Sequence, residues 1–546
     1  MHQDAPAQSN SRTSFRPLGT LGLVLALFLG ASESLAQLRI VSYNTAEDAR
    51  SELTTIFTAI GEEQRNGIAK PIDVLALQEQ TTLTSTTDDI VDLLNGIYGA
   101  GTYARGTRLA ATSGAGRVAV VYNTNTVDLL SEGAASSLSG TGAARQTLRY
   151  QFRPVGYDES ADFYLYNSHY KASTGASNES RRNVEAGQIR ANADFLGEGA
   201  SLIFAGDLNL YSSSEAAYQT LLAPGAGQAI DPLNTSNSFQ PWNNNSSFAT
   251  FHTQSPCSSS VGNCGVGGGV DSRFDFQLVS GEVLDDEGFS LIDGSYHPFG
   301  NNGTTYNQSI NSGSNTVTFP GVTSFTKSQI LNALRTATDH LPLVADYQLP
   351  AVLNAFTETI PDTVELAEFF TLDFSIFNDA DVVAANGADE LDYSFSTTGD
   401  VVGFGATSGT DAALGGVNLH QVVFDTTTLG MKTGEITITS ASQSAANSEI
   451  VIPISFEVVA AALAGDYNDD GVVDAADYSV WRDELAAGGS LVNETASPGV
   501  VDSADYDAWV ANFGAASAVS TAVPEPSALA MLCLTGLAAF GARRNV

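Results

Sequence analysis

The sequence predicts a mixed α/β domain, then an antiparallel β-sandwich, then a short helical repeat. Three observations carry this. Short apolar runs alternate with longer helical or looped stretches over residues 37–349. Period-two runs separated by Gly, Asn, Asp and Ser clusters fill residues 350–460. A hexapeptide recurs, slightly altered, within residues 461–514. The 546 residues exceed what one core usually supports, and a hydrophobic content of 43% excludes wholesale disorder. With 23 Lys+Arg against 61 Asp+Glu, the net charge of −38 excludes a broad basic surface for gripping phosphate backbones. Any polyanion has to be met at a local site.

The α/β region is expected to place strands at 38–43, 74–77, 118–122, 163–167 and 202–205. It holds every basic residue except Arg12, Arg16, Lys432, Arg482, Arg543 and Arg544, so the charge changes abruptly at about Pro350. The sandwich region, of roughly immunoglobulin size, shows period-two runs at 370–377, 391–395, 421–424, 434–439 and 450–458. No cluster of His, Cys or carboxylates marks it as catalytic, and it reads as a spacer or binding module.

In residues 461–514, Val473-Asp474-Ala475-Ala476-Asp477-Tyr478 returns as Val501-Asp502-Ser503-Ala504-Asp505-Tyr506, each followed by a Trp. Asp466, Asn468, Asp470, Val472 (through its carbonyl), Asp474 and Asp477 stand at positions 1, 3, 5, 7, 9 and 12 of a loop with Gly471 at position 6. That is calcium-loop spacing, with Asp477 in place of the usual Glu; the bland alternative is a solvated acidic turn. The pair resembles a type I dockerin, which implies a cohesin-like or other cell-surface partner. The second copy departs from the pattern, with Glu494, Ala496 and Pro498 at positions 1, 3 and 5, so one strong calcium site is expected.

The two termini read as targeting segments. Arg12 and Arg16 precede an apolar run at 18–30, and Ser34-Leu35-Ala36 offers cleavage after Ala36, so residues 1–36 are expected to be a secretory signal peptide. As a membrane anchor the run is too short to span comfortably. Residues 515–546 carry Val523-Pro524-Glu525-Pro526-Ser527, an apolar run at 528–542 and Arg543-Arg544. A Pro spacer, a short apolar helix and a positive stop make a sorting tail, similar to the PEP-CTERM signal that an exosortase processes; a plain tail anchor is the alternative. Either way the protein is expected to be secreted or held at the cell surface.

Chemistry concentrates in the α/β region, at strand ends. Asn44 closes Leu38-Arg39-Ile40-Val41-Ser42-Tyr43-Asn44, and Glu79 closes Asp73-Val74-Leu75-Ala76-Leu77-Gln78-Glu79. His169 and Lys171 end Tyr166-Asn167-Ser168-His169-Tyr170-Lys171, and Asp207 and Asn209 follow the apolar run at 202–205. Asp275 opens a strand after Arg273, and Asp339-His340 precedes another. Any one of these is an ordinary turn or cap residue. Together they gather carboxylates, amides and histidines where strand ends form α/β sites. Glu79 and Asp339 are hard oxygen ligands for Mg2+ or Mn2+, His169 and His340 move protons, and Asp207 orients water. Metal-assisted hydrolysis of a phosphate ester suits this set.

In this order the motifs resemble the endonuclease/exonuclease/phosphatase superfamily, which includes deoxyribonuclease I, exonuclease III, sphingomyelinases and inositol polyphosphate phosphatases. The resemblance implies a four-layer α/β sandwich of the deoxyribonuclease I kind. It implies a metal and phosphate site at Asn44, Glu79 and Asp339, with Asp207 and Asn209 positioning water and phosphoryl group. It implies that His340, oriented by Asp275, contacts the scissile phosphate or activates water. His169 in place of the Tyr of the exonuclease III branch implies leaving-group protonation or transition-state stabilisation. Lys171 is assigned an electrostatic role against that of a solvated surface Lys, and Arg181 and Arg182 read either as a backbone clamp or as a solvated helix start. Cys257 and Cys264, in an exported setting, are expected to form a local disulfide, zinc binding being the weaker reading. Cys533 lies in the removable tail, and Trp242, His252 and His297 read as loop packing. The favoured function is a secreted non-specific nuclease acting on nucleic acid. A phosphomonoesterase or sphingomyelinase-type enzyme and a non-catalytic cell-surface docking protein are the alternatives.

Overall fold

A computed structural model describes residues 37–47, 50–112, 116–236 and 241–517. The expected signal peptide, and the sorting tail from residue 518 on with Cys533, lie outside the described residues.

The chain opens with β1 (Gln37–Asn44), α1 (Ser51–Glu62), β2 (Val74–Gln80), α2 (Asp88–Tyr98), β3 (Tyr103–Arg105) and β4 (Arg117–Asn123). It continues with β5 (Val127–Ala134), β6 (Leu148–Pro154), β7 (Phe163–His169), α3 (Ala176–Asp194), β8 (Ser201–Asp207) and α4 (Ala216–Leu222). After a long insert come β9 (Asp275–Val279), β10 (His297–Pro298), α5 (Lys327–Ala337) and β11 (Leu343–Gln348). Two sheets result, in the orders β10-β11-β1-β2-β4-β3 and β5-β6-β7-β8-β9. Only β1 with β2, and β7 with β8, run parallel.

Every residue of β1 is buried, its polar Gln37, Arg39, Ser42 and Asn44 included, because both faces of its sheet are covered. On the inner face Leu38, Ile40, Val74, Ala76 and Val120 meet Phe152, Leu165 and Ile203 of the second sheet. On the outer face Val41, Tyr43, Leu75 and Leu77 pack beneath α1, α2 and α5. Helices α3 and α4 cover the far side of the second sheet through Ala186, Ile189 and Leu221. The layers are therefore helix, sheet, sheet, helix.

Buried amides join the two sheets. Asn167 Nδ2 donates to Leu77 O (3.0 Å) and Ala119 O (2.8 Å), and its Oδ1 accepts from Gln78 Nε2 (2.8 Å). Gln277 Nε2 donates to Ile40 O (3.1 Å) and Leu343 O (3.0 Å). A one-residue slip of either sheet would orphan these buried groups, so they fix the register of one sheet on the other. At the opposite end of β1, buried Arg39 forks onto Asp346 of β11 (2.7 and 2.9 Å) and donates to Ile60 O of α1.

Residues 353–459 form β12 (Leu353–Thr357), β13 (Thr363–Glu365), β14 (Thr371–Asn378), β15 (Leu391–Gly399), β16 (Val401–Phe404), β17 (Ser408–Asp411), β18 (Asn418–Phe424), β19 (Gly430–Ser440) and β20 (Glu449–Val459). They make two sheets, β12-β14-β18-β16 and β13-β20-β19-β15-β17, antiparallel apart from the β13–β20 pair. A separate core of Leu372, Phe374, Ile376, Phe395, Ile436, Ile454 and Phe456 fills the space between them. At the seam with the first body, Tyr157 donates to Pro350 O (2.8 Å) and Gly288 N–H to Asp389 Oδ2 (3.1 Å).

The repeat becomes two short helices, α6 (Ala475–Ala487) and α7 (Ser503–Asn512), each begun by an Asp capping box. Trp481 donates to Asp502 O (2.8 Å) and Trp509 to Asp474 O (2.7 Å), so each copy's Trp holds the other copy's cap. Asp477 accepts from Asn468 N (3.0 Å) and Asp474 N (2.8 Å), closing the first loop on itself. Among the described residues no helix is long and apolar enough to cross a membrane.

Two outcomes follow for stability. Arg39→Ala leaves Asp346 buried and unpaired, and urea unfolding should show a loss of about 3–5 kcal/mol. Asp389 is pushed up to about 7 by burial, with Glu287 and Asp392 adding repulsion. Its folded value lies above its ordinary one, so its stabilising protonation is lost as pH rises toward 7. The melting temperature of Asp389→Asn relative to the parent should therefore climb between pH 5 and pH 8; a pH-independent difference would contradict this.

Candidate functional site

The parallel pairs decide where the polar residues meet. Register sets Asn44 beside Gln78 in one sheet and His169 beside Asp207 in the other, so four strands end together. The antiparallel neighbours then begin at that same edge: Asp275 pairs with Asp207, and Leu343, just after His340, pairs with Ser42.

Local backbone features aim the side chains. β2 bulges between Leu77 and Gln80, and Glu79 adopts a left-handed φ of +57°, which turns it out of the sheet alternation. Asn209, at φ +49°, uses the tolerance of Asn for that region. Gly206, at φ +130°, lies so close to the neighbouring strand that a Cβ would sit 1.9 Å from Ser168 O. Only glycine lets β8 run against β7 and deliver Asp207 to His169.

Asp207 Oδ2 is the centre of the group. Asn44 Nδ2 lies 3.4 Å from it, His169 Nε2 3.4 Å and His340 Nε2 3.7 Å. His169 Nε2 is also 3.9 Å from Glu79 Oε1, and its Nδ1 meets Gly116 O at 3.1 Å. His340 Nδ1 donates to Asp275 Oδ2 at 2.8 Å, while Asp275 Oδ1 is buried without a partner. Asn209 N–H donates to Asp207 Oδ1 (3.1 Å) and its amide reaches Tyr170 O (3.4 Å). Asp339 is half-buried next to His340, its Oδ1 touched by Thr338 Oγ1 at 3.5 Å. All eight catalytic and metal candidates thus stand at one sheet edge. Among the described residues, however, no three of His, Cys, Asp and Glu are close enough to enclose a single ion.

The charges are unbalanced. Burial, with Asp275 and Glu79 nearby, pushes the Asp207 carboxyl up to about 7 against the attraction of His340. Burial lowers His169 well below its usual range, and Arg145 and His340 add to this. Burial also works against charging His340, but Asp275, Asp207 and Asp339 outweigh it and hold the ring well above the ordinary value. The two histidines, alike in sequence, are opposite in character: His340 is the cation and His169 the neutral ring. Carboxylates on neighbouring strand ends, with an orphan oxygen on Asp275, are the hard oxygen donors a divalent cation takes.

The structure corrects one expectation. Arg182 is neither a solvated helix start nor a free clamp; it is buried, binds Lys171 O (2.8 Å) and Ser173 O (3.0 Å), and pairs with Glu215 at 2.8 Å. Arg181 is partly exposed and donates to Gly142 O at 2.8 Å. Lys171 Nζ contacts Ala172 O (2.8 Å); burial and then Arg145, Arg181 and Arg182 lower its pKa. Two neighbours escaped the sequence reading. Arg145 holds Tyr170 O at 2.8 Å and acts electrostatically on both His169 and Asp207. Gln254 contacts His340. Neither sits at a strand end, the signal by which the other residues were found.

Trp242 and His252 are buried in the insert, Trp242 donating to Leu210 O (2.9 Å) and His252 Nε2 meeting Trp242 O (2.7 Å). His297 lies on β10, between Ser295 O and Glu63. Cys257 and Cys264 are joined as a disulfide. A cavity of about 390 Å³ beside β10, lined by Arg65, Phe251, His297 and Asn302, contains none of the clustered residues.

A family model for the PEP-CTERM protein-sorting motif matches residues 522–545. A search of curated proteins finds no match. Among solved structures, the chain is similar to the human Nocturnin catalytic domain with bound sulfate anion at 14% identity, covering 58% of this chain and 96% of that one with a TM-score of 0.35. It is similar to an endonuclease/exonuclease/phosphatase family protein from Bacteroides thetaiotaomicron at 14% identity, covering 57% and 95% with a TM-score of 0.32. It is also similar to a mannosyl-6-phosphatase from Bacteroides thetaiotaomicron at 14% identity, covering 57% and 99% with a TM-score of 0.31.

Proposed function

We propose that residues 37–349 are a divalent-metal-dependent phosphoester hydrolase of the endonuclease/exonuclease/phosphatase kind, acting as a secreted non-specific nuclease. The observation that carries this reading is the convergence of Asn44, His169 and His340 on Asp207 Oδ2, with Glu79 and Asp275 beside them. Mg2+ or Mn2+ would be held by Asn44, Glu79 and Asp339, and when bound supplies charge neutralisation at the phosphoryl oxygens.

The chain's own groups do the rest. Asp207, with Asn209 beside it, orients a water and takes its proton as the oxygen bonds to phosphorus. His340, kept cationic and aligned by Asp275, donates to a non-bridging phosphoryl oxygen as charge builds there. Asp207 hands that proton to His169 Nε2, 3.4 Å away, and as the P–O bond to the leaving group breaks His169 delivers it to the departing oxygen. Lys171, Arg145 and Arg181 form a basic margin near His169 that suits a polyanion, which favours nucleic acid over a lipid or sugar phosphate.

The remaining parts fit an exported enzyme. The tail motif at 522–545 implies exosortase processing and a place at the cell surface, with residues 1–36 as the export signal. The sandwich, residues 350–460, is read as an immunoglobulin-like spacer. Residues 461–514 are read as a dockerin-like module that holds Ca2+ through Asp466, Asn468, Asp470, Val472, Asp474 and Asp477 and meets a cohesin-like surface partner.

The test is an assay of the purified chain on plasmid DNA, RNA, sphingomyelin and a phosphomonoester, with Mg2+, Mn2+ or EDTA. Nucleic acid should be cut only with metal, and His340→Ala should lower the rate by about 100-fold or more. Turnover of lipid or monoester alone would replace the nuclease reading with another esterase. No turnover of any substrate would favour a non-catalytic surface protein.

A further inference from the structure

Gln254 stands on the insert between β8 and β9, and its backbone is fixed from several directions. Its N–H donates to Ser272 O (3.0 Å), and its carbonyl accepts from Asp271 N and Ser272 N (both 2.9 Å). Thr253 O accepts from Leu341 N (2.8 Å), next to His340, and Thr253 Oγ1 accepts from Asp275 N (3.3 Å). Ser255 N–H donates to Gly269 O (2.8 Å), and the Cys257–Cys264 disulfide closes the following loop. From this anchored position the terminal amide of Gln254 lies 2.9 Å from His340 Nε2. Since Nδ1 of that cationic ring donates to Asp275, Nε2–H is its outward donor, and the Gln254 amide meets it by presenting its oxygen as acceptor. Gln254 is only half-buried, so its amide borders open space.

A phosphoryl oxygen that approaches His340 Nε2 must take the place this amide holds. With its backbone pinned, Gln254 can move only about its own side-chain bonds, and its N–H groups stay within a few ångströms of the arriving oxygen. A neutral amide donates to an anionic oxygen without adding charge to an already crowded set of carboxylates, which a Glu at this position would do.

We propose that Gln254 is a substrate-contacting residue of this site: its amide oxygen accepts from the outward N–H of His340 in the free protein, and its NH2 turns to donate to a phosphoryl oxygen when the ester binds. This rests on the phosphoester reading given above. It also gives the disulfide-closed insert a task, which is to carry a specificity contact to the edge where the strands end.

The test uses the full chain, as parent, Gln254→Leu and Gln254→Glu, with melting temperatures to establish folding. Hydrolysis of bis(p-nitrophenyl) phosphate with Mn2+ is measured alongside the 15N resonance of His340 Nε2 in metal-free, substrate-free protein, assigned by its loss in His340→Gln. Gln254→Leu should melt with the parent, lose about tenfold in kcat/KM and shift the His340 resonance; Gln254→Glu should lose more activity than Gln254→Leu. A kcat/KM for Gln254→Leu within twofold of an active parent, or an unmoved His340 resonance, overturns the assignment and leaves the phosphoester reading intact. A parent that hydrolyses no phosphoester overturns both.

Discussion

Asn167 sits between the two sheets of the first body, donating to backbone oxygens of β2 and β4 and accepting from Gln78. Every feature of the site depends on this junction and on its counterpart at Gln277. Apolar packing alone holds two sheets together but tolerates sliding, because the hydrophobic effect is non-directional. A buried amide tolerates none: an unpaired polar group in the core is penalised by about 1–3 kcal/mol. The bridges therefore convert a greasy interface into a fixed register, and the ends of β1, β2, β7 and β8 come out at one edge.

That edge gathers more carboxylates than cations. Glu79, Asp207, Asp275 and Asp339 are gathered around two rings, of which only His340 is held cationic. The Asp207 carboxyl is raised, chiefly by burial, with Asp275 and Glu79 adding to it against the pull of His340. Burial and like charge both disfavour its ionisation, and a cation relieves the second. The basic residues of this region, against a chain that is otherwise strongly acidic, include Lys171 with Arg145 and Arg181 close enough to act on it electrostatically.

Much of this was legible in the sequence because strand ends are. Apolar runs closed by Asn44, Glu79, His169 or Asp207 give both the element and its candidate site residue in one pattern, and the parallel pairing then brings them together. What stayed hidden depends on tertiary placement. Gln254 lies in an irregular insert whose position is fixed by backbone bonds to 271–272, which no periodicity announces. Arg145 reaches the site from a segment before β6. Arg182 looked like a surface residue beside Arg181, but on α3 they project differently, and Arg182 turns inward to Glu215. The opposite electrostatics of His169 and His340 were likewise invisible, since they depend on burial and on which carboxylates end up in contact. In the repeat, the aspartates announced the loop, whereas the reciprocal Trp481 and Trp509 bonds appear only once the two helices pair.

In the reaction proposed above, this edge directs water onto the phosphorus of an ester. Hydrolysis of a phosphodiester in 18O-enriched water tests it most directly. The account predicts one 18O atom in the phosphate-bearing product for each bond broken, and none in the released alcohol. Label in the alcohol, or a phosphate-bearing product without 18O, would contradict it.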